Sequence, residues 1–275
     1  MVDAKFIRQV GTWRWLWRTA NLQLHKRVLR QDLHATLPTG LRIRLPRESQ
    51  SASEVFVTGA NIDWGAEALL ARLADPDRDF LDIGAHIGYY SMYLSPLVRR
   101  AFAFEPDPRN LKHLRENARS ANNVEVIAAA VSSKDAVVKL HIGAGSAISS
   151  LNPMPGATVD VPALRIDSFC ARRPSIDPAI VKTDVEGHDL EVLRGMAGLI
   201  RRSAPVILTE CSSHDEMTDL CDDWRYTMFA FVCDPASMAV SFRRLGPGDH
   251  RHHWLKMTLL SPPHLTQELT RDVAA

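Results

Sequence analysis

The stretch Phe80-Leu81-Asp82-Ile83-Gly84-Ala85-His86-Ile87-Gly88-Tyr89-Tyr90 ends a short apolar run in an acid, then turns on glycine and opens a helical segment at Gly88. Glycine lets the backbone approach a ligand closely and take positive φ. Ligands on open α/β sheets bind at the carboxyl ends of strands, where this turn should lie. The spacing is D-x-G-x-x-x-G, not the G-x-G-x-x-G that cradles a dinucleotide pyrophosphate. Glu105 follows Asp82 by 23 residues and closes the next apolar run. A carboxylate there accepts the hydroxyl protons of a ribose diol. Asp82, Gly84, His86, Gly88 and Glu105 thus predict an adenosine-type ligand without a diphosphate, and S-adenosylmethionine fits. Ala129, just past the third apolar run, is the expected adenine contact. The plain alternatives are a glycine turn of purely structural purpose and Glu105 as the charge at a helix N-terminus.

A second constellation follows two later runs. Asp184 and Glu186 come after 180–183, and Glu210 and His214 come after 206–209. In a doubly wound sheet both places face one crevice, so the carboxylates are expected to converge. Asp184 and Glu210 could hold a divalent cation such as magnesium through hard oxygen ligands. One acid could instead remove a hydroxyl proton as general base, or some could be helix N-terminal acids and cofactor contacts. The catalytic candidates are Asp184 and Glu210, then Glu186 and His214, with Asp184 also expected to touch the cofactor. His188 shares the ligand end, whereas Asp249-His250-Arg251-His252-His253 reads as an acceptor lid or a solvated surface.

These residues must be positioned by an alternation of strand and helix. Strands are expected at 80–83, 101–104, 124–128, 180–183 and 206–209, and helices at 88–98, 108–121, 190–195 and 214–220. That pattern implies a mostly parallel α/β sheet covered on both faces, with an antiparallel edge from 229–232, 238–243 and 254–260. Segment 143–156, rich in Gly, Ser and Pro, reads as an irregular insertion. Upstream lie a helical arm over 4–31, a hairpin at 34–37 and 41–45 around Pro38-Thr39-Gly40, and an amphipathic helix over 62–74. The expected domains are an arm (1–34), a hairpin and linker (35–53), a catalytic domain (54–261) and a tail (262–275).

Several segments together resemble the FkbM-type methyltransferases over about residues 54–260. They are Asp82-Ile83-Gly84-Ala85-His86-Ile87-Gly88, Phe104-Glu105-Pro106 and, most specifically, Val181-Lys182-Thr183-Asp184-Val185-Glu186-Gly187-His188-Asp189-Leu190-Glu191-Val192-Leu193-Arg194-Gly195. Asp63-Trp64-Gly65-Ala66-Glu67 and Leu164-Arg165-Ile166-Asp167-Ser168 are similar to the family as well. The resemblance implies a Rossmann-like class I fold and methyl transfer from S-adenosylmethionine to a hydroxyl of a sugar, glycoside or natural product. His86 stands where the family usually has Asn, and both residues tolerate left-handed backbone. N-methylation usually relies on an N/D-P-P-Y/F/W run where this chain reads Asp184-Val185-Glu186-Gly187. The competing readings are an NAD(P)-dependent oxidoreductase and a catalytically silent scaffold.

Composition sets the outer bounds. The 275 residues are 45% hydrophobic, enough for a core, and carry a net charge of +1. A nucleic-acid partner is not expected at that balance. The four cysteines lack zinc-site spacing and fit a reducing, cytoplasmic setting. No run approaches the ~20 apolar residues that span a bilayer. Yet residues 1–34 hold seven basic residues against Asp3 and Asp32, a segment charge of +5. Trp13, Trp15 and Trp17 lie among them. This arm is expected to dock a membrane surface, a second subunit in a homodimer or an anionic acceptor, the other partner being a small-molecule or glycan acceptor.

Overall fold

The computed structural model describes residues 6–143, 149–210, 214–234, 237–246, 249 and 254–273, with Phe6, Arg8 and His214 described in backbone alone. The arm is not the single helix expected. Gly11 takes φ 87° and separates α1 (Phe6–Val10) from α2 (Thr12–Gln23), a π-helical turn follows over Leu24–Leu29, and Arg30 closes it at φ 52°. Glycine inside a helix costs about 1 kcal/mol relative to alanine and frees the backbone to turn. The hairpin forms as read, β1 (Leu33–Thr36) pairing antiparallel with β2 (Arg42–Leu45). Then come α3 (Gln50–Thr58), whose first turn is capped where Ala52 N donates to Ser49 Oγ at 3.2 Å, and α4 (Ala66–Leu73). Gly65, at φ 114°, delays α4 past the start expected from periodicity.

The main sheet has eight strands. In chain order these are β3 (Asp79–Ile83), β4 (Arg100–Phe104), β5 (Val124–Ile127), then β10 (Pro178–Thr183), β11 (Val206–Thr209), β12 (Thr227–Cys233), β13 (Val240–Arg244) and β14 (Trp254–Ser261). Their spatial order is β13-β12-β14-β11-β10-β3-β4-β5. The run from β11 to β5 is parallel, and the β14, β12 and β13 edge is antiparallel. This is the α/β architecture the sequence implied.

Between β5 and β10 the chain builds a second sheet from β6 (Ala130–Val131), β7 (Ala136–Ile142), β8 (Ser149–Ser150) and β9 (Ala157–Leu164). The sequence reading places an irregular insertion at 143–156, where only Ser149–Ser150 is strand among the described residues, and expects none of the strands on either side of it. Val137, Lys139 and Asp160 point outward while Leu140 and Val161 are buried, a half-exposed alternation easily lost between longer apolar runs.

Alternation along the central strands sends Phe80, Ala101, Ile180 and Val206 to one face and Leu81, Phe102, Val181 and Ile207 to the other. The first face packs on α4, on α5 (Tyr89–Leu94) and on the arm and hairpin through Leu22, Leu33 and Ile43. The second packs on α7 (Ile166–Ala171), α8 (Asp189–Gly195), α9 (Ala197–Ser203) and α10 (His214–Trp224). The helix α6 (Pro108–Ala118) covers Ala85 and Ala103 with Leu111 and Leu114. The last segment, read as a tail, forms α11 (Pro263–Val273), with Leu269 fully buried and Glu268 2.6 Å from Arg72 of α4. At the amino end of β3, buried Asp79 binds Arg99 at 2.7 Å and accepts from Asp177 N at 2.9 Å.

Candidate active site

A cavity of about 290 Å³ opens at the carboxyl ends of β3, β4, β10 and β11. The glycine turn forms its floor. Gly84 takes φ 75°, and a Cβ there would lie 2.0 Å from Asp184 O, so glycine is required twice over. His86 adopts φ 53°, so the left-handed turn is kept with histidine in place of asparagine. Gly88 N-caps α5 at φ 87°. His86 also lines the cavity, and its imidazole is held neutral, down to about 4, by burial and by the charge of Lys182.

Glu105 is buried one residue beyond β4. Its Oε2 accepts from His86 N at 2.8 Å and its Oε1 from Asp107 N at 2.9 Å. Burial pushes its carboxyl up to about 7 despite those donors. Asp82 is fully buried; its Oδ2 accepts from Ser91 Oγ at 2.5 Å, while Oδ1 accepts no hydrogen bond among the described residues. Ala129 lies in the cavity wall.

Asp184, Glu186 and Glu210 do converge, each offering an oxygen within 4.8 Å of the others. They are not three free carboxylates, because Lys182 stands among them. Its Nζ is 3.3 Å from Asp184 Oδ2 and 3.9 Å from Asp82 Oδ1, donates to Gly84 O at 3.0 Å and lies 5.8 Å from the Tyr90 ring centre. Burial works against charge on Asp184, but Lys182 and a hydrogen bond with Glu210 hold its carboxyl below the usual range. Burial and the Asp184 charge push the Glu210 carboxyl up. Asp184 is thus held toward its charged form and Glu210 toward its protonated form. Glu186, at φ 52°, and Gly187, at φ 83°, make the sharp turn into α8.

Sequence reasoning passed over Lys182 as a site residue. Its signal was a lone cation in an otherwise apolar strand, Ala179-Ile180-Val181-Lys182, which is 4% exposed. It also passed over an acid cluster on the far wall. Asp63 accepts from Tyr90 OH at 2.6 Å, and buried Glu67 accepts from Ile62 N at 2.6 Å and Tyr89 OH at 3.1 Å. Lys256 donates to Ile62 O at 2.7 Å and sits 3.9 Å from Asp63.

Two histidine candidates fall away from this centre or beyond view. His188 is outside the cavity wall and hydrogen-bonds Ser132 Oγ at 2.9 Å. The side chain of His214 and residues 250–253 lie outside the described residues, as does Cys211. Cys170, Cys221 and Cys233 are buried free thiols. Trp224 is a core residue, packed edge-on to Tyr226. No helix among the described residues is long and apolar enough to cross a membrane.

The model of the methyltransferase FkbM domain matches residues 82–234, more than half of the chain. Over 134 residues the chain is 28% identical to the hexuronic acid methyltransferase AglP of Haloferax volcanii, a match spanning 48% of this chain and 56% of that protein. The chain thus spans little more than half the length of this curated relative. Among solved structures, a methyltransferase FkbM from Methylobacillus flagellatus KT is 18% identical with a TM-score of 0.44, covering 68% of this chain and 44% of that one. A fibrillarin from Aeropyrum pernix with natively bound S-adenosyl-L-methionine is 18% identical with a TM-score of 0.40, covering 71% and 73%.

Proposed function

The chain belongs to the FkbM methyltransferase family, and we propose that it moves a methyl group from S-adenosylmethionine to a hydroxyl oxygen of a sugar or glycoside. The observation that carries this reading is one cavity wall holding Glu105 and Asp82 beside the Lys182–Asp184–Glu210 cluster. The residues fit the cofactor. Glu105 is a buried acid at a strand end, suited to a ribose diol, and Asp82 Oδ1 is a buried acceptor with no hydrogen bond among the described residues. Asp184 adds negative charge to the same wall, 3.3 Å from the Lys182 ammonium that also faces Asp82.

When bound, S-adenosylmethionine supplies a methyl carbon that is already activated. What remains for the protein is alignment and proton removal. Lys182 keeps Asp184 ionised and aimed, and Glu210 donates its proton to the shared hydrogen bond. A carboxylate of low basicity takes the hydroxyl proton only as the new bond forms, when that proton becomes acidic. Lys182 already brings to Asp184 the positive charge a divalent cation would bring, so the reading needs no metal.

A hexuronic acid is the first acceptor to try, because AglP acts on one by name and Lys256 lines the cavity as a cation. Calorimetry with S-adenosylmethionine, followed by a screen of uronic acids and glycosides with methyl-labelled cofactor, tests both halves. Absence of cofactor binding would sink the proposal. Transfer to nitrogen acceptors alone would replace oxygen as the target.

A further inference from the structure

The arm presents an unusual surface. Trp13, Leu16, Trp17, Ala20, Leu24 and Val28 recur at three- and four-residue spacing and are all exposed, Trp13 at 84% and Trp17 at 65%. They form one apolar stripe along α2 and the π-helical turn. Such a stripe ordinarily faces a core. Here the opposite side does so: Leu22 is buried, Arg18 donates to Val57 O at 3.1 Å, and Lys26 donates to Ser53 Oγ at 2.7 Å. The arm is thus already seated on α3, and the stripe points outward by construction.

The polar flanks identify what covers it. Arg14, Arg27 and Arg30 are exposed beside the stripe and make no ion pair among the described residues. From Ala4 to Gln31 there is no Asp or Glu. A symmetric pairing of two copies through this face would bring like charges together with no acid to offset them. A surface of anionic phospholipid offsets all three arginines and accepts tryptophan at the headgroup level.

We propose that the outward face of the arm is a docking surface for an anionic lipid bilayer, lying in the interface plane without crossing it. The consequence for the site is positional. Ser51, Glu54 and Val55 of α3 line the cavity, while Val57 and Ser53 of the same helix hold the arm. Docking therefore places the cavity wall about one helix diameter, ~10 Å, from the lipid surface.

The test is co-sedimentation of the full chain with vesicles of phosphatidylcholine alone and of phosphatidylcholine with about a third phosphatidylserine. The full chain is expected to sediment with the anionic vesicles only, to be released by added salt, and to show a blue shift of tryptophan emission. Trp13→Ala with Trp17→Ala, and separately Arg14→Glu with Arg27→Glu, each lower the partition coefficient by at least ~10-fold. Circular dichroism on each variant confirms that the fold is kept. Absence of binding to anionic vesicles overturns the proposal, as does binding that survives both pairs of substitutions. A full-chain dimer that the tryptophan substitutions return to monomer also overturns it, in favour of self-association. None of these readouts depends on methyl transfer, so they stand or fall apart from the proposed activity.

Discussion

Lys182 Nζ lies 3.3 Å from Asp184 Oδ2, two residues along the chain at the carboxyl end of one buried strand. Successive side chains of a strand alternate faces, so residues two apart share one. The short K-x-D spacing therefore delivers a cation and an acid to the same wall, and the cation decides how that acid titrates.

Lys182→Met removes this cation and leaves buried Asp82 without its counter-charge. Breaking a buried pair from one side costs about 3–5 kcal/mol, read by chemical denaturation. Asp184 then loses the charge that holds its carboxyl down. Activity that requires ionised Asp184 is lost as pH falls through its pKa, so the acid limb of the rate profile moves to higher pH in the variant. An unmoved limb would mean that Lys182 does not govern Asp184.

Asp184→Asn keeps the shape and removes the proton acceptor, and kcat is expected to fall by ~10²–10⁴-fold. Glu210→Gln retains a hydrogen-bond donor toward Asp184 and is expected to cost about 10-fold or less. Chelation by EDTA and addition of magnesium are expected to leave turnover unchanged, since Lys182 occupies the cationic role beside Asp184. Loss of turnover on chelation, restored by magnesium, would assign the three carboxylates to a metal instead.

Glu105 has its carboxyl pushed up to about 7, mainly by burial. Only the ionised form accepts both hydroxyl protons of a diol, so affinity for S-adenosylmethionine should rise as pH climbs through that value. The gain between about pH 6 and about pH 8 is roughly 10-fold, the change in ionised fraction. Calorimetry at the two pH values measures it. Glu105→Gln binds more weakly at the higher pH and shows a flat profile; a variant that keeps the wild-type slope would remove Glu105 from cofactor binding.

Gly84→Ala forces a side chain into left-handed backbone and into contact with Asp184 O, where 2.0 Å is available. Destabilisation of more than ~2 kcal/mol in denaturant melts is expected, with loss of cofactor binding. Unchanged stability and binding would show that the turn is free to move.

The sequence was legible where backbone chemistry is local and severe. The turn from Asp82 to Gly88 and the parallel strands were readable because glycine and buried apolar runs have few alternatives. Glu105 was readable because an acid closing a strand is expensive to place at random. Lys182 was missed as a site residue, although it stands in the segment that carried the family resemblance, because its partners Asp82 and Gly84 lie 98 or more residues away in sequence and only the fold brings them beside it. Asp63 and Glu67 were missed as site residues for the same reason, since Tyr89 and Tyr90 give them their place. The break in the arm turned on Gly11, a residue that local propensity can only weigh against its neighbours.

The small sheet between β5 and β10 has a consequence of its own. Ala130, Val131, Leu140, Ser149 and Leu151 of that region contribute to the cavity wall, yet none of its strands pairs with the eight-stranded sheet. Substitutions at Leu140, Ser149 or Leu151 would reshape the opening without moving Asp82, Glu105 or Asp184 from their register. The molecule thus carries an exchangeable cassette on a fixed chassis, and relatives that take different acceptors are expected to differ there first.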